Sequence, residues 1–484
     1  MTRTGGRVLV DQLALHGVEL AFGVPGESYL EVLDALRDAP IRFVTCRHEA
    51  GAANMAEAYG KLTGRPGVCL VTRGPGATQA SVGVHTAYQD GTPLVLLVGQ
   101  IPRRDVGREA FQELDYPAVF GSMTKWTAQL DDAARIPELV QRAFRTATSG
   151  RPGPVVLALP EDMLVERVEV ADALPFVAAQ AAPRPSELNE ARRLLEAAER
   201  PLVVVGGQPW SEAAGGRLAA WCEASGIPVA AAWRCQDYVP NDSVAYAGHL
   251  GLGPDPRLAA RLREADALLV VGARLGDIET AGYTAVAPPG DGRVIVHAHP
   301  DPEELGRVYA PTLGVVSSGP TFADALASVE PLDPTRRRPV SDAAHAEFLE
   351  SLDGRPLPGS IDLTRVMAVL RDRLGPDAIL TNGAGNFTVW AHRFYAFRRY
   401  RTQLAPASGA MGYGLPAAVT AKVLHPDRDV VCLAGDGDFL MSVPELATAV
   451  QAGAPIVVLV VDNGMYGTIR MHQERHYPGR VSGT

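Results

Sequence analysis

Five cysteines in 484 residues, none in a CxxC pair, give no basis for a disulfide framework or a zinc site. Cys46, Cys69, Cys222, Cys235 and Cys432 stand far apart, mostly in apolar runs such as GVCLV (67–71), and read as reduced, buried thiols of a cytoplasmic protein. Aromatic residues make up only 6%, so Ala, Val and Leu must fill the interior. No apolar run approaches ~18 residues, so no membrane span is expected. The start, MTRTGGRVLVDQLALHG, lacks a signal-peptide core. Basic charge is in deficit: 45 Lys and Arg against 55 Asp and Glu give a net charge of −10. That balance argues against a nucleic-acid partner. No GxxxxGK[ST] occurs, which excludes a P-loop nucleotide-binding regulator.

Hydrophobic residues make up 46% of the chain and charged residues 21%, enough for large cores. The length predicts about three domains. A short Val/Leu/Ile run, then Gly or Pro, then an Ala/Leu-rich helical pattern recurs along the chain. Examples are PLVLLVGQ (93–100), PVVLALP (154–160), PLVVVGG (201–207), ALLVVGARLG (267–276), DVVCLAGDGD (429–438) and PIVVLVVDN (455–463). Continuous apolar strands alternating with helices are what a parallel sheet covered on both faces requires. The fold class is therefore α/β, with three doubly wound parallel-sheet domains. Composition shifts at 177–195 and 332–367 divide the chain into 1–170, 185–330 and 358–484. Ser186 is the expected N-cap of the helix that follows the first shift.

The strongest chemical signal lies at 435–463. LAGDGDF follows one apolar strand and VLVVDNGMYG ends another, with 24 residues between Gly437 and Asp462. The intervening MSVPELATAVQAGA forms a crossover helix, with Ser442 as its expected N-cap and Pro444 in its first turn. Two strand ends one crossover apart bring their loops together where open sheets bind ligands. Asp436 and Asn463 would offer a carboxylate and an amide oxygen beside backbone carbonyls, a set suited to Mg²⁺ and a diphosphate.

GDG, 24 residues and then Asp462-Asn463 resembles the cofactor motif of thiamine diphosphate (ThDP) enzymes. FGVPGESYLEVLDAL (22–36), CRHEAGAANMAEAYGKLTG (46–64), REAFQELD (108–115), SGRPGPVVLALP (149–160) and ASGAMGYGLPAA (407–418) extend the resemblance in order along the chain. They resemble the acetolactate synthase and benzoylformate decarboxylase superfamily. The resemblance implies a pyrimidine-binding domain (1–170), a central Rossmann-like domain (185–330) and a diphosphate- and Mg²⁺-binding domain (358–484), the last shorter than in the family.

Site roles follow from the same resemblance. Glu49 would hydrogen-bond the cofactor's aminopyrimidine ring, a task suited to a carboxyl in an enclosed apolar setting. Asp436, Asn463 and Met465 would hold Mg²⁺. Gly437, Asp438, Tyr466, Gly467, Gly385, Asn386 and Phe387 would face the diphosphate side. Gly409 would accept from the 4′-amino group, and Met411 would wedge between the two rings. Pro25 and Gly26 would approach the pyrimidine. The family builds each site between two subunits, so a homodimer or homotetramer acting on small 2-oxo acids is implied.

The reaction type rests on fewer residues. Phe111 and Gln112 match the acetolactate synthase pattern FQE, and the His-His pair of one decarboxylase type is absent from this stretch. These features favour carboligation. Glu27, after VPG, stands where pyruvate decarboxylases carry an acidic residue and favours simple decarboxylation or lyase chemistry. His472 stands where acetolactate synthases line the acceptor pocket with Trp. Arg274 aligns with an arginine beside FAD and the substrate channel, so FAD is compatible with the central domain. His297 and His299 share one strand face without an evident third ligand. A catalytically silent, cofactor-binding homologue is the reading of another class.

Overall fold

Three sheets organise the computed structural model, which describes residues 2–354 and 361–484. The first contains β1 (Leu20–Gly23), β2 (Arg42–Thr45), β3 (Gly67–Val71), β4 (Leu94–Gln100), β5 (Trp126–Gln129) and β6 (Pro154–Pro160). Its order is β2-β1-β3-β4-β6-β5, and all neighbouring pairs are parallel. The second contains β7 (Pro201–Val205), β8 (Val229–Ala231), β9 (Tyr246–His249), β10 (Ala267–Val271), β11 (Val294–His299) and β12 (Leu313–Val316). Its order, β9-β8-β7-β10-β11-β12, is again parallel throughout and reverses direction between β7 and β10. The third contains β13 (Ile379–Asn382), β14 (Gln403–Leu404), β15 (Val430–Gly435) and β16 (Val457–Val461), in the order β14-β13-β15-β16. A two-residue antiparallel pair joins Arg3–Thr4 to Arg167–Val168.

The apolar runs are central strands because both of their faces are covered. Leu202, Val204, Leu268 and Val270 enter one hydrophobic cluster, and Val203, Val205, Leu269 and Val271 enter another. Successive side chains of a strand point to opposite faces, so this alternation places a helical layer on each side of the sheet. Every residue of β3, β4, β6, β7, β10 and β15 is buried. β16 is different: it is equally apolar in sequence, yet none of its residues is buried.

The chain forms two compact units. One comprises 1–179, 381–385 and 406–484; the other comprises 180–380 and 386–405. The helix expected at the first composition shift is Pro185–Ala197, but Arg184 is its N-cap and Ser186 lies inside the first turn. Pro185 at the first helical position starts the helix two residues early. The second shift is not simply a linker, since Arg338–Ser351 is helical there. The expected domain start at 358 lies outside the described residues.

A buried polar cluster in the second unit has a consequence for acid stability. Gln403 Oε1 accepts from the Gln236 backbone N–H at 3.0 Å, which fixes that amide so that its nitrogen donates to His392 Nδ1 at 3.0 Å. Gln236 Nε2 donates to the same ring nitrogen at 2.9 Å. Nδ1 is thus an acceptor and His392 is the neutral Nε2–H tautomer. Burial pushes His392 well below the ordinary histidine range and His249 down to about 4, with nearby Arg234 and Arg393 adding to the respective shifts. A depressed folded-state value supports stability above pH ~6.5, and that support is lost as pH falls through the folded value. Each such histidine should cost about 1.4 kcal/mol per pH unit of acidification in that window. His392→Gln should therefore flatten the fall in denaturation midpoint between pH 6.5 and 4.5; a slope equal to the parent protein's would contradict this.

Candidate functional site

Two clusters of chemistry-bearing residues occupy loops at the carboxyl ends of parallel strands, where open α/β sheets bind ligands. The first surrounds the turn that leaves β3. A Cβ built on Gly26 would stand 2.5 Å from the Thr72 Cβ, so only glycine lets the loop after β1 lie against Thr72. Ser28 Oγ and Thr72 Oγ1 are hydrogen-bonded at 2.9 Å. Arg73 is nearly buried and ties three segments together. Its guanidinium donates to Glu27 at 3.1 Å, to Glu161 at 2.9 Å and to the Phe111 carbonyl at 3.3 Å. Glu27 itself is exposed, as is Pro25 beside Gly26.

The 107–113 loop is held in a strained shape. Glu109 and Gln112 both have positive φ, at 54° and 68°, a region that non-glycine residues enter only when their surroundings over-determine it. Glu113 supplies part of that determination by accepting from the backbone N–H groups of Gly107 at 2.6 Å and Ala110 at 3.0 Å. These bonds hold its carboxyl below the usual range. Gly74 packs against Gln112, where a Cβ would come within 2.9 Å. Phe111, at the loop's tip, is 72% exposed, an open apolar surface at the site's rim.

Glu49 is the first residue of the helix Glu49–Thr63, half-buried, with His48 as N-cap accepting from the Ala50 N–H at 3.1 Å. Its Oε1 lies 3.3 Å from a Cβ built on Gly76, so the carboxylate sits against the start of the next helix, Pro75–Asp90. Gly26, Glu27, Glu49, Phe111 and Gln112 thus converge on residues 72–76.

The second cluster lies at the ends of β15 and β16. The two strands pair in parallel with Gly435 opposite Val461, so Asp436 and Asp462 leave neighbouring strand ends and Asn463 follows. Asp462 accepts from Gly464 N–H at 2.9 Å and Asn463 Oδ1 from Met465 N–H at 3.1 Å, which shapes the turn. The Met465 carbonyl accepts from Gly467 N–H at 2.8 Å. A Cβ on Gly467 would stand 2.6 Å from Asn463 Nδ2, and one on Gly437 would stand 3.0 Å from the Tyr466 ring and 3.7 Å from the Met411 methyl. Asp438 is buried and accepts from Gly412 N–H at 2.7 Å and Ala384 N–H at 3.3 Å. It pins the 409–413 segment and the 383–385 turn beneath the GDG turn. Gly409 has φ of 69° with open space where a side chain would be. Gly385, Asn386 and Phe387 lead into the helix Thr388–Phe394, with Phe387 buried.

The donor set of this second cluster is one carboxylate, one amide oxygen and backbone carbonyls. Hard oxygen donors of this kind, few in number, suit Mg²⁺ shared with a diphosphate. Among the described residues, no group of three or more His, Cys, Asp or Glu is arranged to hold a metal. The crossover helix runs Glu445–Ala452 with Pro444 at its N-cap position. Ser442 precedes it and does not cap it, because a separate short helix, Asp436–Leu440, takes up the start of the segment.

His472 is exposed on the helix Gly467–His476 and stacks on His476 with ring centroids 6.2 Å apart. Arg274 belongs to the second unit, where it donates to the buried Glu304 at 2.8 Å. His297 Nε2 bonds the Ala273 carbonyl at 2.9 Å and His299 Nδ1 bonds the Asp301 backbone, so neither faces its partner as a metal pair. Between β7 and β10, a Cβ on Gly207 would stand 2.1 Å from the Gly272 carbonyl oxygen, and one on Gly272 2.3 Å from that of Gly206. These glycines serve close packing of the two turns against each other.

Two organising residues carry no obvious signature in the sequence. Arg73 reads as one arginine in TRGPG, and Glu445 as one helix-initial glutamate. A basic residue just past a buried strand end, and an acid at the start of the helix between the two halves of the motif, are the signals that could have found them.

The chain matches three family models: the thiamine pyrophosphate enzyme N-terminal TPP binding domain over residues 3–119, the central domain over 188–326 and the C-terminal TPP binding domain over 383–484. It is 33% identical over 497 residues to an acetolactate synthase large subunit of Parasynechococcus marenigrum, covering 99% of this chain and 79% of that protein. It is 31% identical over 482 residues to the acetolactate synthase isozyme 2 large subunit of Escherichia coli, covering 99% and 86%. An acetolactate synthase large subunit of Corynebacterium glutamicum is 31% identical over 494 residues, with 99% and 78% covered.

Proposed function

Since this chain belongs to the thiamine pyrophosphate enzyme family, we propose that it decarboxylates a 2-oxo acid and joins the remaining fragment to a second carbonyl compound, as an acetolactate synthase does. The observation that carries this reading is the pair of glycine-shaped clusters, one centred on Glu49 and one on Asp436 and Asn463, both at strand ends. Thiamine diphosphate, when bound, supplies the carbanion chemistry that lets a 2-oxo acid lose carbon dioxide.

The chain's own residues do the rest. Asp436, Asn463 and the Met465 carbonyl would hold Mg²⁺, which would neutralise the diphosphate's charge. Gly437, Asp438, Tyr466 and Gly467 would serve that end, with Asp438 acting through the backbone it fixes, and Gly385, Asn386 and Phe387 are assigned to the diphosphate by their motif. The Gly409 carbonyl would accept from the aminopyrimidine, and Met411 would supply a flexible apolar wedge. Glu49 holds and moves a proton at the aminopyrimidine. Pro25 and Gly26 close on the same ring. Gln112 and Phe111 present an amide and an apolar surface to the acceptor. Glu27 is ion-paired with Arg73, which also pairs with Glu161, and that engagement supports ligation over a proton-donating role. His472 and Arg274 are assigned to the substrate approach, and no step is assigned to FAD.

We assign 1–170 to pyrimidine binding, 185–330 to the central scaffold and 358–484 to diphosphate and metal binding. A homodimer or homotetramer is the proposed working form. The exposed apolar residues Leu440, Met441, Val450, Val457, Tyr466 and Ile469 support burial against another copy. No helix among the described residues is long and apolar enough to cross a membrane. A cytoplasmic location is part of the proposal.

Calorimetric titration with thiamine diphosphate tests the metal and cofactor assignment. Binding should require Mg²⁺, and Asp436→Ala should weaken it at least about tenfold, the loss of roughly one charge-assisted contact. Unchanged affinity in Asp436→Ala would remove Asp436 from the metal set.

A further inference from the structure

Glu445 has no assigned role, yet it is the most thoroughly engaged carboxylate near Glu49. It is the first residue of the crossover helix Glu445–Ala452 and is fully buried. Its Oε1 accepts from the backbone N–H groups of His48 at 2.9 Å and Arg47 at 3.1 Å. Its Oε2 accepts from Thr448 Oγ1 at 2.5 Å. A Cβ built on Gly51 would stand 2.4 Å from Oε1, so glycine at 51 is what lets the carboxylate reach the loop. The same helix also holds the neighbourhood from its other end: Arg47 donates to Gln451 and Arg42 to the Ala452 carbonyl. Residues 47, 48 and 51 bracket Glu49, whose helix begins between these contacts.

A carboxylate accepting two backbone N–H groups in a buried setting fixes those peptides more strongly than a neutral acceptor would. Burial raises the Glu445 carboxyl, and the hydrogen bonds it accepts oppose that rise. The helix it starts is the one that separates the Asp436 turn from the Asn463 turn. We infer that Glu445 is a positioning residue: it sets the loop that aims Glu49, and so links the segment between the metal-holding turns to the carboxyl that handles the proton. The inference rests on the role proposed for Glu49, and its geometric half stands apart from that role.

Two variants of the full-length protein test it. Glu445→Gln keeps the size and removes the charge. Gly51→Ala leaves Glu445 in place and pushes its carboxylate off the loop. Amide hydrogen exchange across residues 46–50, together with kcat, the substrate KM and the thiamine diphosphate Kd, gives the readout. Both variants should speed exchange at Arg47 and His48 by about tenfold or more. Both should lower kcat by about 10–100-fold, as a small misplacement of a catalytic group does, with KM and Kd within about threefold. Glu445→Asp, one methylene shorter, should fall between Glu445→Gln and the parent protein. Unchanged exchange would overturn the clamp. Faster exchange with parental kcat would overturn the positioning role. An active Glu49→Gln control would instead overturn the role of Glu49, and the exchange result would still report on Glu445.

Discussion

Replacing Glu49 by Gln should lower turnover by about 10²–10⁴-fold, the contribution of a positioned acid or base, and leave thiamine diphosphate affinity within about threefold. The amide keeps the volume and the polarity of the side chain but cannot take up or release the proton. The structural duties beside Glu49 fall to its neighbours: His48 supplies the cap of its helix, and Glu445 holds the loop before it. Initial rates of product formation at saturating cofactor check the first part, and calorimetry checks the second. Parental turnover in Glu49→Gln would remove the assigned role. Lost cofactor binding would move Glu49 from proton handling to holding the ring.

The largest effect on stability is expected at Glu57, eight residues along the same helix. Its carboxylate is completely buried and accepts from Thr92 Oγ1 at 2.7 Å and Tyr413 OH at 2.5 Å. Lys61 lies 3.4 Å from Glu57 and 2.6 Å from Asp90, and Asp90 accepts from the Ala407 N–H at 2.6 Å. Burial raises the Glu57 carboxyl, and the Lys61 charge opposes that rise. Glu57→Ala removes one member of a buried ionic network and should cost about 3–5 kcal/mol, because Tyr413 loses an acceptor and the Lys61–Asp90 balance is broken. The network grips the segment 406–413, which carries Gly409 and Met411. Loosened packing there should weaken thiamine diphosphate binding as well, whereas Glu57→Gln should keep much of both. Urea unfolding measures the first effect and titration the second. A loss below about 0.5 kcal/mol, typical of surface substitutions, would contradict the network's importance.

The three parallel sheets were legible because their strands are apolar runs buried on both faces, and such runs can be read residue by residue, as in PLVVVGG and ALLVVGARLG. β16 shows the limit of that reading, since VVLVV has the same composition and is half-open in the structure. Composition records what a strand could bury, and the neighbours decide what it does bury. Spacing alone brought the GDG turn and Asp462-Asn463 to neighbouring strand ends, as the pairing of Gly435 with Val461 shows, whereas Glu49 in RHEAG was singled out by family resemblance and not by spacing. Residues that act by holding backbone were not. Arg73, Glu445 and Glu57 come from separate segments, and each bonds to groups between about 35 and 400 positions away, contacts that no local pattern encodes. The Ser186 and Ser442 caps failed for local reasons: Pro185 takes the first position of one helix, and the separate short helix Asp436–Leu440 takes up the start of the other segment.

The central claim is carboligation driven through Glu49, and product identity tests it most directly. The purified protein would be incubated with thiamine diphosphate, Mg²⁺ and ¹³C-labelled pyruvate, beside Glu49→Gln, and the products read by NMR. The account predicts acetolactate from the parent protein and none above background from the variant. Acetaldehyde alone from the parent protein, or acetolactate formed equally well by Glu49→Gln, would contradict it.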